Sequence, residues 1–119
     1  MNVRAEGNCY EEAVKFFLRL AETGKRPTLI HGEITFPSGR KINHAWVEVP
    51  AANRVYDPSA NHPKTGKPPA VYELDWFYGN GRAKVVAHYR NPDLVLKLIK
   101  KTGTWGPYQW MLEMERRLR

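Results

Sequence analysis

The feature that most constrains the fold is a pair of strand patterns, Ile42 to Val49 and Arg54 to Asp57, joined by only Pro50-Ala51-Ala52-Asn53. So short a connection suits an antiparallel hairpin, whereas parallel neighbours need a long crossover. Along the first strand the side chains alternate, with Ala45, Val47 and Val49 on one face and His44, Trp46 and Glu48 on the other. Folding back around residues 51 and 52 sets Asp57 opposite Trp46 or one pair along from His44, within reach of its ring. A slip of one residue would turn Asp57 to the other face.

Further elements surround this hairpin. Thr28 to Phe36 alternates as a strand, with Ile30, Gly32, Ile34 and Phe36 facing one way and Leu29, His31, Glu33 and Thr35 the other. Pro37-Ser38-Gly39-Arg40 is the turn that pairs it with Ile42 to Val49. Upstream, Asn8 and Glu11 read as an N-cap and capping-box partner, and Tyr10, Ala13, Val14, Phe17 and Leu20 recur at helical spacing. A helix from Cys9 to Glu22 is expected, stopped by Gly24, with Cys9 in its first turn. There, unpaired amides and the positive end of the helix dipole favour a thiolate.

Downstream, residues 58 to 70 hold Pro58, Pro63, Pro68, Pro69 and Gly66, the composition of a surface loop able to wall a neighbouring site. Val71 to Tyr78 satisfies helix and strand periods equally poorly, and Gly79-Asn80-Gly81 is a turn. Ala83, Val85, Ala87 and Tyr89 alternate with Lys84, Val86, His88 and Arg90 as a strand. Asn91 and Pro92 open a helix whose buried stripe is Leu94, Val95, Leu98 and Ile99, stopped by Gly103. A final helix from Pro107 would carry Trp110, Met111, Met114 and Leu118 inward. The expectation is one α+β domain over residues 1–119: an N-terminal helix carrying Cys9 packed on a small antiparallel sheet, with C-terminal helices on the same face.

Composition narrows the function. Cys9 is the sole cysteine, so no internal disulfide forms, and no oxidising compartment is implied. His31, His62 and His88 show no ligand spacing, so neither a metal nor another cofactor is expected. No apolar run approaches a membrane span and the start does not read as a signal peptide, so a soluble, cytoplasmic protein is expected. A net charge of +7 favours an acidic partner, but the basic residues are spread along the chain, which argues against nucleic acid. The oligomeric state is left open.

Thiol acyl transfer needs a nucleophile, a base that later acts as acid, a group that orients the base, and donors for the oxyanion. Cys9, His44 and Asp57 supply the first three in that order, and the Cys9 backbone N–H with the Asn8 side chain are the candidate oxyanion donors. Trp46, on the face of His44, is a candidate wall of the site. Gly7-Asn8-Cys9-Tyr10 opening a helix, His44-Ala45-Trp46-Val47-Glu48 on a strand and Tyr56-Asp57-Pro58 on the next together resemble the core of the transglutaminase-like branch of papain-fold cysteine enzymes. The resemblance spans roughly residues 7 to 60, with Tyr10 where the family commonly has tryptophan. It implies a Cys9-His44-Asp57 triad acting on an amide, isopeptide or ester bond, hydrolysis rather than cross-linking, and a protein or peptide substrate.

Blander readings stand beside this one. A cysteine near a helix start is by default a packed small side chain, a strand histidine is by default structural, and Asp57 before Pro58 forms turns for local reasons. A non-catalytic basic module that docks an acidic protein or nucleic acid is the competing function.

Overall fold

The computed structural model describes residues 4–108. Helix α1 (Arg4–Glu22) leads into strands β1 (Thr28–Thr35), β2 (Lys41–Val49) and β3 (Arg54–Asp57). After a long loop come β4 (Ala70–Glu73), the short helix α2 (Leu74–Gly79), β5 (Ala83–Tyr89) and helix α3 (Pro92–Thr102). The sheet has the order β4-β3-β2-β1-β5 and every neighbouring pair is antiparallel. The α+β class expected from the sequence is therefore the class observed. The helix expected from Pro107 lies outside the described residues apart from its first two positions.

Local chemistry explains the hairpins. The β1–β2 turn closes with Phe36 N–H on the Arg40 carbonyl at 2.8 Å, and Gly39 takes the positive φ of 89° that an L side chain would resist. Between β2 and β3, residues Pro50–Ala52 make one 3-10 turn. It ends at Asn53 with φ 53°, a left-handed position that asparagine tolerates. Val47 then pairs with Tyr56 and Val49 with Arg54, the register expected from folding back around residues 51 and 52. Asn53 also receives the start of α2, its carbonyl accepting from the Leu74 N–H at 3.1 Å.

Two cores form, one on each face of the sheet. Under α1 and α3 lie Ala13, Val14 and Phe17, Leu29 of β1, Ala45 and Val47 of β2, Val95 and Tyr108. On the opposite face Ile30, Trp46 and Val55 are covered by Tyr72, Leu74, Phe77, Tyr78 and Ala83. Each fully buried large side chain contributes about 1.5–3 kcal/mol of transfer free energy. Helices thus cover both faces rather than one: the ambiguous Val71 to Tyr78 stretch splits into the end of strand β4 and helix α2, and α2 closes the second face.

Two further expectations are corrected by packing. In β5, His31 pairs with Ala87 but Gly32 with Val85, so Val86 is an extra residue, a β-bulge. The slip changes faces: Ala87 and Tyr89 pack under α1, whereas Ala83 joins the core on the α2 side. In α3, Asn91 caps as expected, its side-chain oxygen accepting from the Asp93 and Leu94 N–H groups, and Gly103 closes the helix with φ 70°. Val95 is buried, and Leu98 and Ile99 pack against the core, but Leu94 is exposed.

Candidate active site

His44 and Asp57 meet as the hairpin register requires. The His44 Nε2–H donates to Asp57 Oδ2 at 2.7 Å, with His44 only 6% and Asp57 9% exposed. The second carboxylate oxygen is held as well: Asp57 Oδ1 accepts from the Ser59 backbone N–H at 3.2 Å and from the Ser59 hydroxyl at 3.0 Å. Asp57 is therefore both the turn former and the histidine's partner, one oxygen for each task. Ser59 is absent from the residues that the sequence singles out, although Asp followed two residues later by Ser is an Asx-turn signature that marks it.

Cys9 is fully buried, packed with Ala45 and Val47 beneath α1. His44 lies on the opposite face of β2 with Trp46, yet Cys9 is near enough to influence its ring. A continuous sheet would separate the two. However, the β2–β3 pairing ends at Val47 and Tyr56, so on its β3 side the strand is open at His44. Nε2 is committed to Asp57, and Nδ1 is buried with no hydrogen-bond partner among the described residues.

The electrostatics of His44 follow from this setting. Burial is the largest influence and lowers its pKa, but Asp57, through its hydrogen bond and its charge, together with the nearby Cys9, outweighs it. The net result is a rise from 6.5 to about 10, so the ring holds its proton at neutral pH.

Trp46 forms a wall beside the histidine, its ring centroid 6.2 Å from that of His44. Trp46 is fully buried and its Nε1–H donates to the Tyr78 hydroxyl at 2.9 Å, which in turn donates to Glu48 Oε2 at 2.8 Å. The space for it comes from Gly32, where a Cβ would stand 2.6 Å from the indole ring and 2.2 Å from the Lys84 carbonyl oxygen. Tyr72, also on this face, lies within the field of Asp57: burial and then that negative charge raise its pKa. Neither Tyr78 nor Gly32 has a local signal in the sequence, since both act through distant segments.

The oxyanion donors fare differently. Helix α1 begins at Arg4, not at Cys9, so Asn8 is not its N-cap; it is an exposed residue within the helix. A helix leaves only its first N–H groups without intrahelical acceptors, and these fall upstream of Cys9. The first-turn argument for a thiolate therefore does not apply. Of the proline-rich loop, Pro58, Pro68 and Pro69 face Glu12, Phe16 and Arg19 of α1 across a cleft of about 280 Å³ that none of Cys9, His44 and Asp57 lines.

The other histidines lie apart. His31 is buried under α1, His62 accepts from the Lys64 N–H in the loop, and His88 on β5 is exposed. Among the described residues no three His, Cys, Asp or Glu side chains converge as metal ligands, and no helix is long and apolar enough to cross a membrane. In comparisons with known proteins, no family model, no curated protein and no solved structure matches the chain.

Proposed function

We propose that the protein is a small cysteine-dependent hydrolase in which Cys9, His44 and Asp57 carry out acyl transfer on an amide, isopeptide or ester. The observation that supports this most is His44, bonded by Asp57 at Nε2 and acted on by the Cys9 sulfur. In the attack, the sulfur forms a C–S bond to the carbonyl carbon. The imidazolium then gives its proton to the leaving amine or alcohol as the scissile bond breaks. In the second half, His44 takes a proton from water, the hydroxide attacks the thioester, and C–S cleavage releases a carboxylic acid and restores the pair. Asp57 keeps Nε2 protonated and the ring oriented, and Trp46 shields it from water. The substrate is a protein or peptide, and transfer to an amine in place of water is the variant of the same chemistry.

Because Cys9 is fully buried, a substrate reaches the sulfur only when its cover opens. That burial also favours a second reading, in which the pair is a structural element of a binding protein. Alkylation kinetics separate the two. Under the first, iodoacetamide modifies Cys9 at pH 6.5 faster than it modifies a simple thiol, and His44→Ala slows it by about 10²-fold or more. A rate no faster than that of a simple thiol, unchanged in His44→Ala, rules out the hydrolase.

A further inference from the structure

The end of the sheet farthest along β2 from His44 carries a second concavity. It has a volume of about 510 Å³ and lies where β1 begins and β2 and β5 end, with the close of α1 and the opening of α3 beside it. Among the described residues its charged lining is Lys25, Arg26 and Arg90, all positive, with no carboxylate. The β1–β5 register places them together: Leu29 pairs with Tyr89, so the residues just before β1 and just after β5 leave the sheet side by side.

Three features give this pocket a chemical preference. First, Lys25, Arg26 and Arg90 are exposed, and among the described residues none of them forms an ion pair, so their charge is available to a ligand. Second, the walls are Pro27, Pro50, Pro92, Ala21 and Ala51, an apolar and stiff surface in which the prolines present no N–H donor. Third, the volume falls within the range of roughly 300–1,000 Å³ typical of small-molecule sites, which favours a compact ligand over a polymer lying on a flat face. Two guanidinium forks and one ammonium suit phosphoryl oxygens, which arginine binds in bidentate fashion.

We infer that this pocket binds a small molecule carrying a phosphate or pyrophosphate on an apolar body. Nothing in the site overlaps the triad, since Pro50 lies roughly 20 Å along the strand from His44. The site therefore stands whether or not Cys9 is a nucleophile.

Titration of the full chain with pyrophosphate, and then with adenosine diphosphate, followed by amide chemical shifts and calorimetry, tests the inference. Saturable shifts at Thr28, Ala51 and Arg90 are expected, with tighter binding of the diphosphate nucleoside because its body meets the proline walls. Arg26→Gln with Arg90→Gln should weaken both by at least about tenfold, as loss of charge-assisted bonds implies, while leaving Cys9 alkylation unchanged. Shifts that never saturate, or that persist in the double variant, overturn it. A thymidine decamer that binds more tightly than the nucleotide, with a steeper salt dependence, overturns the small-ligand assignment in favour of a nucleic-acid surface.

Discussion

His31 and His44 sit on neighbouring strands, each buried to at least nine-tenths, and their environments drive them in opposite directions. His44 has Asp57 on one nitrogen and the Cys9 sulfur acting on its ring, and its pKa is raised. His31 faces the α1 side, where neither ring nitrogen has a hydrogen-bond partner among the described residues. Tyr10, Tyr89 and Tyr108 surround it at centroid distances of 4.9, 5.2 and 5.7 Å. Burial without partners lowers its pKa to about 4. The same side chain is thus a charged, oriented group in one region and a neutral aromatic filler in the other. Burial alone opposes charge, and only designated acceptors reverse that.

The comparison breaks most visibly if Asp57 is removed. Asp57→Ala leaves the His44 imidazolium buried without its carboxylate, and a loss of about 3–5 kcal/mol in urea unfolding at pH 7 is expected. A loss below about 1 kcal/mol would mean that the pair is no more than a surface contact.

A pH titration of stability should show both histidines with opposite signs. His44 has a folded pKa above its unfolded value of 6.5, so its stabilisation is complete below pH 6.5 and is lost as pH rises toward about 10. His31 has a folded pKa below 6.5, so its neutral, buried form costs nothing above that pH and stability falls as pH drops from 6.5 to about 4. The acid limb amounts to about 3 kcal/mol from the size of that depression. His31→Phe should flatten the acid limb and leave the alkaline one; an unchanged acid limb would assign it to other groups.

Gly32 separates the two regions, directly following His31 and pairing with His44 across the β1–β2 ladder. Gly32→Ala drives a methyl into the Trp46 ring and the Lys84 carbonyl, and a cost of about 1–3 kcal/mol by thermal unfolding is expected. The smallest change is Ser59→Ala, which removes one hydroxyl bond from Asp57 Oδ1. It should cost about 1 kcal/mol and slow Cys9 alkylation by less than Asp57→Asn does. Equal slowing by the two would show that the orientation of Asp57, rather than its charge, governs His44.

The legible part of this fold lies in near-neighbour spacing. Alternation along β2 together with a four-residue connection fixes which residues face each other, and so the meeting of His44 and Asp57 is readable from the hairpin pattern itself. Asn91 with Pro92 and Gly103 marks the bounds of α3 for the same reason, since caps act on amides and carbonyls within a turn of themselves. The order Cys9, His44, Asp57 carries the expectation that the thiol joins the pair, and spacing along the chain cannot supply the distance between sulfur and ring on which that depends.

What tertiary structure decided depends on segments distant in sequence. The start of α1 at Arg4 removes the helix-terminus role of Asn8 and Cys9, and the local capping pattern gives no warning because a capping box can also occur inside a longer helix. The bulge at Val86 moves Ala83 to the other face, since Gly32 yields its side-chain space to Trp46 and the ladder shifts beside it. His31 and His44 look alike in an alternating strand. Whether an imidazole meets a carboxylate or three tyrosines is settled by which strands and helices pack against it, and that packing sums many weak contacts that no short window contains.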